Sequence, residues 1–230
     1  MTILAIDTTS QWCSVAIYLD QENYYFKHEL LDNKASQHLL DFVQDVLDQA
    51  RLKLEDISVF ACSQGPGAFT GIRLGIGVSQ GIAYAQNKPL IPISSLDGML
   101  AHTWLTRPEL FQNQQVTVAI DARMNQMYTS EYLQNDGTVP YRARPIQIQD
   151  NISIPQSENK LLVSYQCTQY ELFSSAFKSI IEGTPHAIGI AYLASLLTKV
   201  EGFIPEDCQP LYLRDKVAQT TLERTQSKLF

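Results

Sequence analysis

LAIDTTSQWCSVAIYL (residues 4–19) and VAIDARMNQMYTSEYL (residues 118–133) are the two stretches on which the fold turns. At an offset of 114 positions (119 − 5), Ala5-Ile6-Asp7 matches Ala119-Ile120-Asp121, and Tyr18-Leu19 matches Tyr132-Leu133. Each stretch reads as an apolar strand, an Asp-led turn and a second strand. Two copies of one hairpin in a chain of 230 residues point to a duplicated α/β unit.

Outward from the first copy, the pattern predicts strands at 3–6, 15–19 and 23–30. A helix capped by Ser36 follows, with Leu39, Val43, Val46, Leu47 and Ala50 on one stripe. Residues 54–57 lead into an apolar strand at 58–63, then a glycine-rich helix, then a short strand at 90–93. From the second copy, a turn falls at 135–138, extended pieces at 139–156 and a strand at 161–165. Helices are predicted at 169–181 and 186–197, and the end reads as a short extended piece and a loose polar tail. The expected lobes are residues 1–100 and 101–230.

A strand ending in Asp, a turn with hydroxyls and a second strand make the shape of a phosphate-binding hairpin, because backbone N–H groups in such a turn can wrap an anion. Asp7, Thr8 and Thr9 supply one such turn, and Asp121 leads the other. Facing each other across a cleft, with Gly65 and Gly67 nearby, they would form the phosphate loops of the actin, Hsp70 and sugar-kinase superfamily. The fold class expected is therefore α/β, of the actin-like ATPase (ASKHA) type, with duplicated βββαβα lobes and a truncated second lobe. The late glycines, Gly183, Gly189 and Gly202, are single rather than paired, which argues against a complete ATP site. A Walker A loop is absent too, since Gly65-Pro66-Gly67 leads to Ile72-Arg73 without Gly-Lys-Ser/Thr.

Residues 63–85, SQGPGAFTGIRLGIGVSQGIAYA, hold six of the eleven glycines. At about 100° per residue, Gly71 and Gly75 share a stripe with Val78 and Ile82, while Gly77 and Gly81 share another with Leu74. Each glycine inside a helix costs about 1 kcal/mol against alanine, so two flattened stripes imply close neighbours on two sides. One is the chain's own sheet; the other is a helix of this chain or of a partner. Gly77–Gly81 also matches G-x-S-x-G, and Ser79, Asp121 and His186 run in hydrolase order. That motif needs a strand, a sharp turn and a helix at the serine, whereas the turn signals here come about twelve residues early. No triad is expected.

The net charge of −7 disfavours a protein that grips nucleic acid alone. No run of about 18 apolar residues is present to span a membrane. The opening MTILAIDTTS reads as a strand rather than a signal peptide. Cys13, Cys62, Cys167 and Cys208 lack metal or redox spacing and are expected as buried thiols of a cytoplasmic protein. His28, His38, His102 and His186 show no metal-binding spacing, so no metal or cofactor is expected. His38 is expected at a surface or interface.

The stretches ILAIDTTSQWCSVAI, GPGAFTGIRLGIGVSQGIA, ISSL, IDARMNQMY and PLYLRDKVA together resemble the bacterial TsaB (YeaZ) family, in order over essentially the whole chain. That family supplies a non-catalytic subunit of the machinery making N6-threonylcarbamoyladenosine in tRNA. Its paralogue, the threonylcarbamoyltransferase TsaD, carries a His-x-x-x-His metal pair, where this chain has Ser95 and Met99. Neither suits a hard catalytic metal. The resemblance thus implies the fold without the metal centre, and gives no ground for a glycoprotease activity.

The partners implied are the catalytic subunit TsaD, the ATPase subunit TsaE, tRNA only through the complex, no membrane, and a second copy when the chain is alone. The docking face implied lies on the glycine helix and the 36–51 helix, at Leu39, Val43, Val46, Leu47, Leu74, Gly77 and Gly81. Two other functions remain open: a small-molecule kinase or phosphatase on the same fold, which would bind ATP, and a hydrolase using Ser79, which would react with a fluorophosphonate.

Overall fold

The structure is a computed structural model that describes residues 1–111, 115–134, 137–152, 157–167, 169–197 and 202–214. The tail expected beyond these, and part of the 135–138 turn, lie outside the described residues. The first sheet is built from β1 (Ile3–Asp7), β2 (Trp12–Tyr18), β3 (Tyr24–Leu30), β4 (Val59–Ser63) and β5 (Leu90–Ile93), in the order β3-β2-β1-β4-β5. The first three strands are antiparallel, and β4 and β5 run parallel to β1. Helix α1 (Ala35–Ala50) joins β3 to β4, α2 (Phe69–Ala85) joins β4 to β5, and α3 (Ser95–Thr106) follows β5. The expected division at residue 100 falls inside α3.

The second sheet contains β6 (Gln115–Arg123), β7 (Gln126–Leu133), β8 (Tyr141–Arg142), β9 (Gln147–Asp150), β10 (Ser157–Tyr165) and β11 (Phe177–Glu182). Its order is β11-β10-β6-β7-β8, with β9 also paired to β7. Strands β10 and β11 run parallel to β6, and β7 runs antiparallel. The two sheets therefore repeat one plan, as the duplicated hairpins predict, and the chain has the actin-like fold. Among the described residues the second unit carries one helix before β11, the four-residue α4 (Glu171–Ser174), and α5 (Ala187–Ser195) and a 3₁₀ turn (Pro205–Asp207) follow β11.

The helix expected over 169–181 is corrected. Phe173, Phe177 and Ile181 recur every four residues and mimic a helical stripe, but β10 offers a parallel edge. Residues 177–182 pair with it through Leu161, Leu162, Val163 and Ser164. The cap of α1 is also corrected. A 3₁₀ turn at Asp32–Lys34 runs straight into the helix, so Ser36 sits in the first turn, and no side chain caps it.

Alternation along the strands splits each sheet into two apolar faces. On the first sheet, Leu4, Ile6, Val15, Ile17, Phe60 and Cys62 face α1 and α2. On its other face, Ile3, Ala5, Ala16, Tyr18, Val59, Ala61 and Ile91 face α5. On the second sheet, Val116, Val118, Ile120, Leu161 and Val163 face Leu96, Met99 and Leu100 of α3. The helices are thus exchanged: α3, from the first unit, covers the second sheet, and α5, from the second, covers the first. They cross where two glycines meet. A Cβ on Gly189 would stand 1.9 Å from the Gly98 carbonyl oxygen, and one on Gly98 would stand 2.3 Å from Ile190 Cδ1.

This packing corrects part of the expected docking face. Leu39, Val43, Val46 and Leu47 are buried in the core between α1 and the first sheet, and Leu74 packs half-buried against the same core. Helical periodicity locates a face that must be covered; here the chain's own sheet covers it.

Residues 202–214 form a strap along α2. Gln80 Nε2 donates to the carbonyls of Pro205 (2.8 Å) and Cys208 (3.0 Å), and Leu90 N donates to Phe203 O. Further on, Leu211 N donates to Gln64 O at 2.8 Å. The strap then reaches the second unit, where Arg214 Nη2 donates to Gln126 Oε1 at 2.5 Å.

Candidate functional site

The β1–β2 turn is folded onto the start of α2. Thr8 Oγ1 donates to Gly71 O at 2.7 Å, and Ala68 N donates to Thr9 O at 2.7 Å. Only glycine fits opposite it. A Cβ at Gly71 would lie 1.9 Å from Thr8 O, and one at Gly67 would lie 2.3 Å from Thr9 O. Gly65 and Gly67 adopt positive φ (96° and 157°), and the carbonyl of Leu211 in the strap approaches Gly65.

Asp7 is buried, and its Oδ1 accepts from Thr9 N (2.9 Å) and Thr9 Oγ1 (2.7 Å). Its Oδ2 is buried without a hydrogen-bond partner. Burial drives the Asp7 pKa up to about 6, with the Thr9 backbone and side-chain hydrogen bonds pulling the other way.

The β6–β7 turn repeats the device. Asp121 Oδ1 accepts from Arg123 N at 2.7 Å and from Tyr170 Oη at 2.5 Å. Arg123, Met124 and Asn125 are all left-handed, with φ of 61°, 55° and 59°. Between the strand ends lie Met124 and Asn125, against Thr8–Gln11 in the first hairpin. In both turns the leading aspartate takes the N–H two residues on, a donor that a phosphate would need. A buried carboxylate beside the turn also repels an anion. The residues present do not fit a phosphate cradle, so Asp7, Thr8, Thr9, Gly65, Gly67 and Asp121 read as architecture.

The hydrolase constellation is not assembled. Ser79 is buried on the sheet-facing side of α2, and Asp121 is committed to Arg123 and Tyr170. The His186 ring caps α5, its Nδ1 accepting from Ile188 N at 3.0 Å. That ring is also the centre of a stacked column that no spacing in the sequence signals. Trp12 stacks on His28 (centroids 4.4 Å apart), His28 on His186 (4.2 Å) and His186 on His102 (4.0 Å). The column joins β2, β3, the start of α5 and α3, so it sits at the junction of the two units. Stacked rings point their nitrogen lone pairs outward in parallel, which suits packing rather than chelation. Burial lowers the pKa of His28 to about 4 and, helped by His28 and Arg107, that of His102 to about 4. His186 is pushed lower still by burial and its two neighbours.

Ser95 and Met99, the two residues singled out by the resemblance, are both fully buried. Ser95 Oγ donates to the Pro66 carbonyl, and Met99 packs in the α3 core. Neither side chain faces an open position. Among the described residues, no group of three or more His, Cys, Asp or Glu could hold a metal ion. Among the described residues, no helix is long and apolar enough to cross a membrane.

Among the described residues, nothing covers the glycine stripe of α2 that faces away from the sheet: Gly77 and Gly81 are exposed, and a Cβ at either would meet no described atom within 4 Å. By contrast, a Cβ at Gly75 would lie 2.7 Å from Thr8 Oγ1. One glycine stripe packs on the sheet and the other faces out. Tyr84 on α2 (69% exposed) and Leu40 on α1 (63%) are apolar groups left at the surface of these two helices.

Fold and turns together define an actin-like chain whose two aspartate-led turns are satisfied from within. The family tRNA N6-adenosine threonylcarbamoyltransferase (TsaD) matches residues 29–177. The tRNA threonylcarbamoyladenosine biosynthesis protein TsaB of Haemophilus influenzae is 30% identical over 233 residues, covering 94% of this chain and 95% of that one. TsaB of Escherichia coli is 39% identical over 140 residues, 60% of this chain and 58% of its own length. The solved structure of YeaZ from Pseudomonas aeruginosa aligns with a TM-score of 0.80 at 29% identity, over 92% of this chain and 99% of that one. The chain belongs to the TsaB (YeaZ) family of tRNA threonylcarbamoyladenosine biosynthesis proteins.

Proposed function

We propose that this chain is a non-catalytic subunit of the tRNA N6-threonylcarbamoyladenosine machinery, docking the catalytic threonylcarbamoyltransferase subunit and holding it in an active arrangement. The observation that carries the reading is the bare stripe of α2, where Gly77 and Gly81 stand exposed in mid-helix. Two mid-helix glycines that the packing of the described residues does not require cost about 2 kcal/mol together. Close approach of a partner helix accounts for them. Leu40 and Tyr84 supply apolar area on the same two helices.

In this reading the ATPase subunit joins the pair, and tRNA is reached only through the complex, in keeping with the net charge of −7. Alone in the cytoplasm, the chain pairs with a second copy through the same stripe. Ser95 and Met99 are spent on packing, and the two aspartate turns are closed on themselves, so the chemistry falls to the partner.

The test is co-purification with the transferase subunit and reconstituted tRNA modification, with and without this chain. Gly81→Leu should keep the monomer folded, abolish self-association in sedimentation, and lose both transferase capture and stimulation of modification. Undiminished capture by both Gly77→Leu and Gly81→Leu would sink the proposal.

A further inference from the structure

Cys62 lies on β4, at the centre of the first sheet, and Cys208 lies on the strap, 146 residues later. Their Sγ atoms are 3.4 Å apart, and both are free thiols buried in the core under α2. The other two cysteines, Cys13 and Cys167, are also free and buried; Cys13 lies in the same core of the first sheet, and Cys167 Sγ donates to the Tyr165 carbonyl. A disulfide needs its sulfurs about 2 Å apart. The strap belongs to neither sheet and is held by isolated hydrogen bonds, so it can supply that movement more readily than β4, paired on both sides.

We propose that Cys62 and Cys208 form a dithiol site for low-molecular-weight disulfides of the glutathione type, which oxidise the pair to a disulfide that ties the strap to the central strand. The Cys208 thiolate attacks one sulfur of the small disulfide; a mixed disulfide forms, and the first small thiolate leaves. Cys62 then gives up its proton and attacks Cys208 Sγ. The protein disulfide forms, and the second small thiolate leaves. Two electrons pass from the protein sulfurs to the small disulfide, and the two thiol protons end on the two small thiols. The order of attack follows the hydrogen bond within the pair. It raises the Cys62 pKa, with burial adding to the rise, and it lowers that of Cys208 against the opposing effect of burial.

Access is set by the strap. Gln80 Nε2 holds the carbonyls of Pro205 and Cys208, so the pair opens to solvent when those bonds break. The bond closes a loop of most of the chain, the case in which a cross-link constrains the unfolded state most. The strap also carries Arg214 to the β6–β7 turn, so the oxidised form fixes a contact between the two units.

The experiment treats the full chain under native conditions with glutathione disulfide, then quenches, unfolds, alkylates and maps peptides. The expected result is a Cys62–Cys208 cross-linked peptide, with Cys13 and Cys167 still alkylated. Tm should rise by about 5 °C or more and revert with dithiothreitol. Gln80→Ala should form the link about 5- to 10-fold faster, having lost two hydrogen bonds to the strap. Cys208→Ser should form none. The proposal is overturned if Cys208 carries a stable glutathione adduct with Cys62 still alkylatable, or if a pairing with Cys13 or Cys167 dominates. It is equally overturned if neither the wild type nor Gln80→Ala forms the link.

Discussion

Replacing the glycines of α2 by alanine, one at a time, separates its two faces by the sign of the effect. At Gly71 a methyl would stand 1.9 Å from the Thr8 carbonyl oxygen, far inside contact distance, and the obstacle is backbone. Relief requires α2 and the β1–β2 turn to part, which strains the Thr8 Oγ1 to Gly71 O bond and the Ala68 N to Thr9 O bond. Overpacking costs about 1–3 kcal/mol, and weakening those bonds adds about 1 kcal/mol. The helix gains back about 1 kcal/mol from alanine. The net loss is about 1–3 kcal/mol, a fall in Tm of about 2–12 °C for a chain of this size.

At Gly77 and Gly81 a methyl meets no described atom within 4 Å, so only the gain in helix propensity remains. Each alanine should stabilise the monomer by about 0.5–1 kcal/mol, raising Tm by about 1–4 °C. Differential scanning calorimetry at low protein concentration, where self-association is minimal, checks both signs. A Gly71→Ala variant melting with the wild type, or a Gly81→Ala variant melting well below it, would refute the assignment of the two faces.

The histidine column should make the fold acid-sensitive. With folded pKa values near 4 for His28 and His102 against an ordinary 6.5, the unfolded state binds protons first as pH falls. Stability from this source is complete above pH 6.5 and is lost between 6.5 and 4, about 1–2 kcal/mol per ring by pH 5. Urea melts at pH 7.5 and 5.0 should show it, and His102→Gln should shrink the difference. Asp7 acts in the opposite sense. Its pKa, raised to about 6, favours the neutral acid, so its contribution is complete below its ordinary value near 3.8 and is lost as pH rises through 6. Asp7→Asn should therefore gain about 1–2 kcal/mol at pH 8 and little at pH 4.5; equal effects at both would refute the assignment. Ser79→Ala should leave fluorophosphonate labelling unchanged at background and reconstituted tRNA modification unimpaired.

The duplication was legible because a strand that must end in a turn-forming aspartate leaves the same short word, Ala-Ile-Asp, in both units. The glycine stripes were legible because helical geometry fixes which glycines share a face, and Gly71 and Gly75 fall on the sheet side while Gly77 and Gly81 fall outside. What covers an apolar stripe is another matter. Leu39, Val43, Val46 and Leu47 have the spacing of a docking face and are core. Strand β11 eluded the reading because Phe173, Phe177 and Ile181 satisfy the helical period, and only the pairing partner β10 decides between the two. The histidine column and the Cys62–Cys208 pair leave no local pattern at all. Their members come from elements far apart in the chain, and only the fold brings them together.

The exchange of α3 and α5 bears on how the chain is made. The last strand of the first sheet ends at Ile93, yet the helix that covers the sheet's inner face begins at Ala187. At a synthesis rate of about 5–20 residues per second, that face waits roughly 5–20 s for its cover. Through that interval Ile3, Ala5, Tyr18, Val59 and Ile91 form an open apolar surface on a nascent chain. A ribosome stalled anywhere between these two points would therefore hold an adhesive intermediate, and the first unit becomes a finished domain only once α5 has been made.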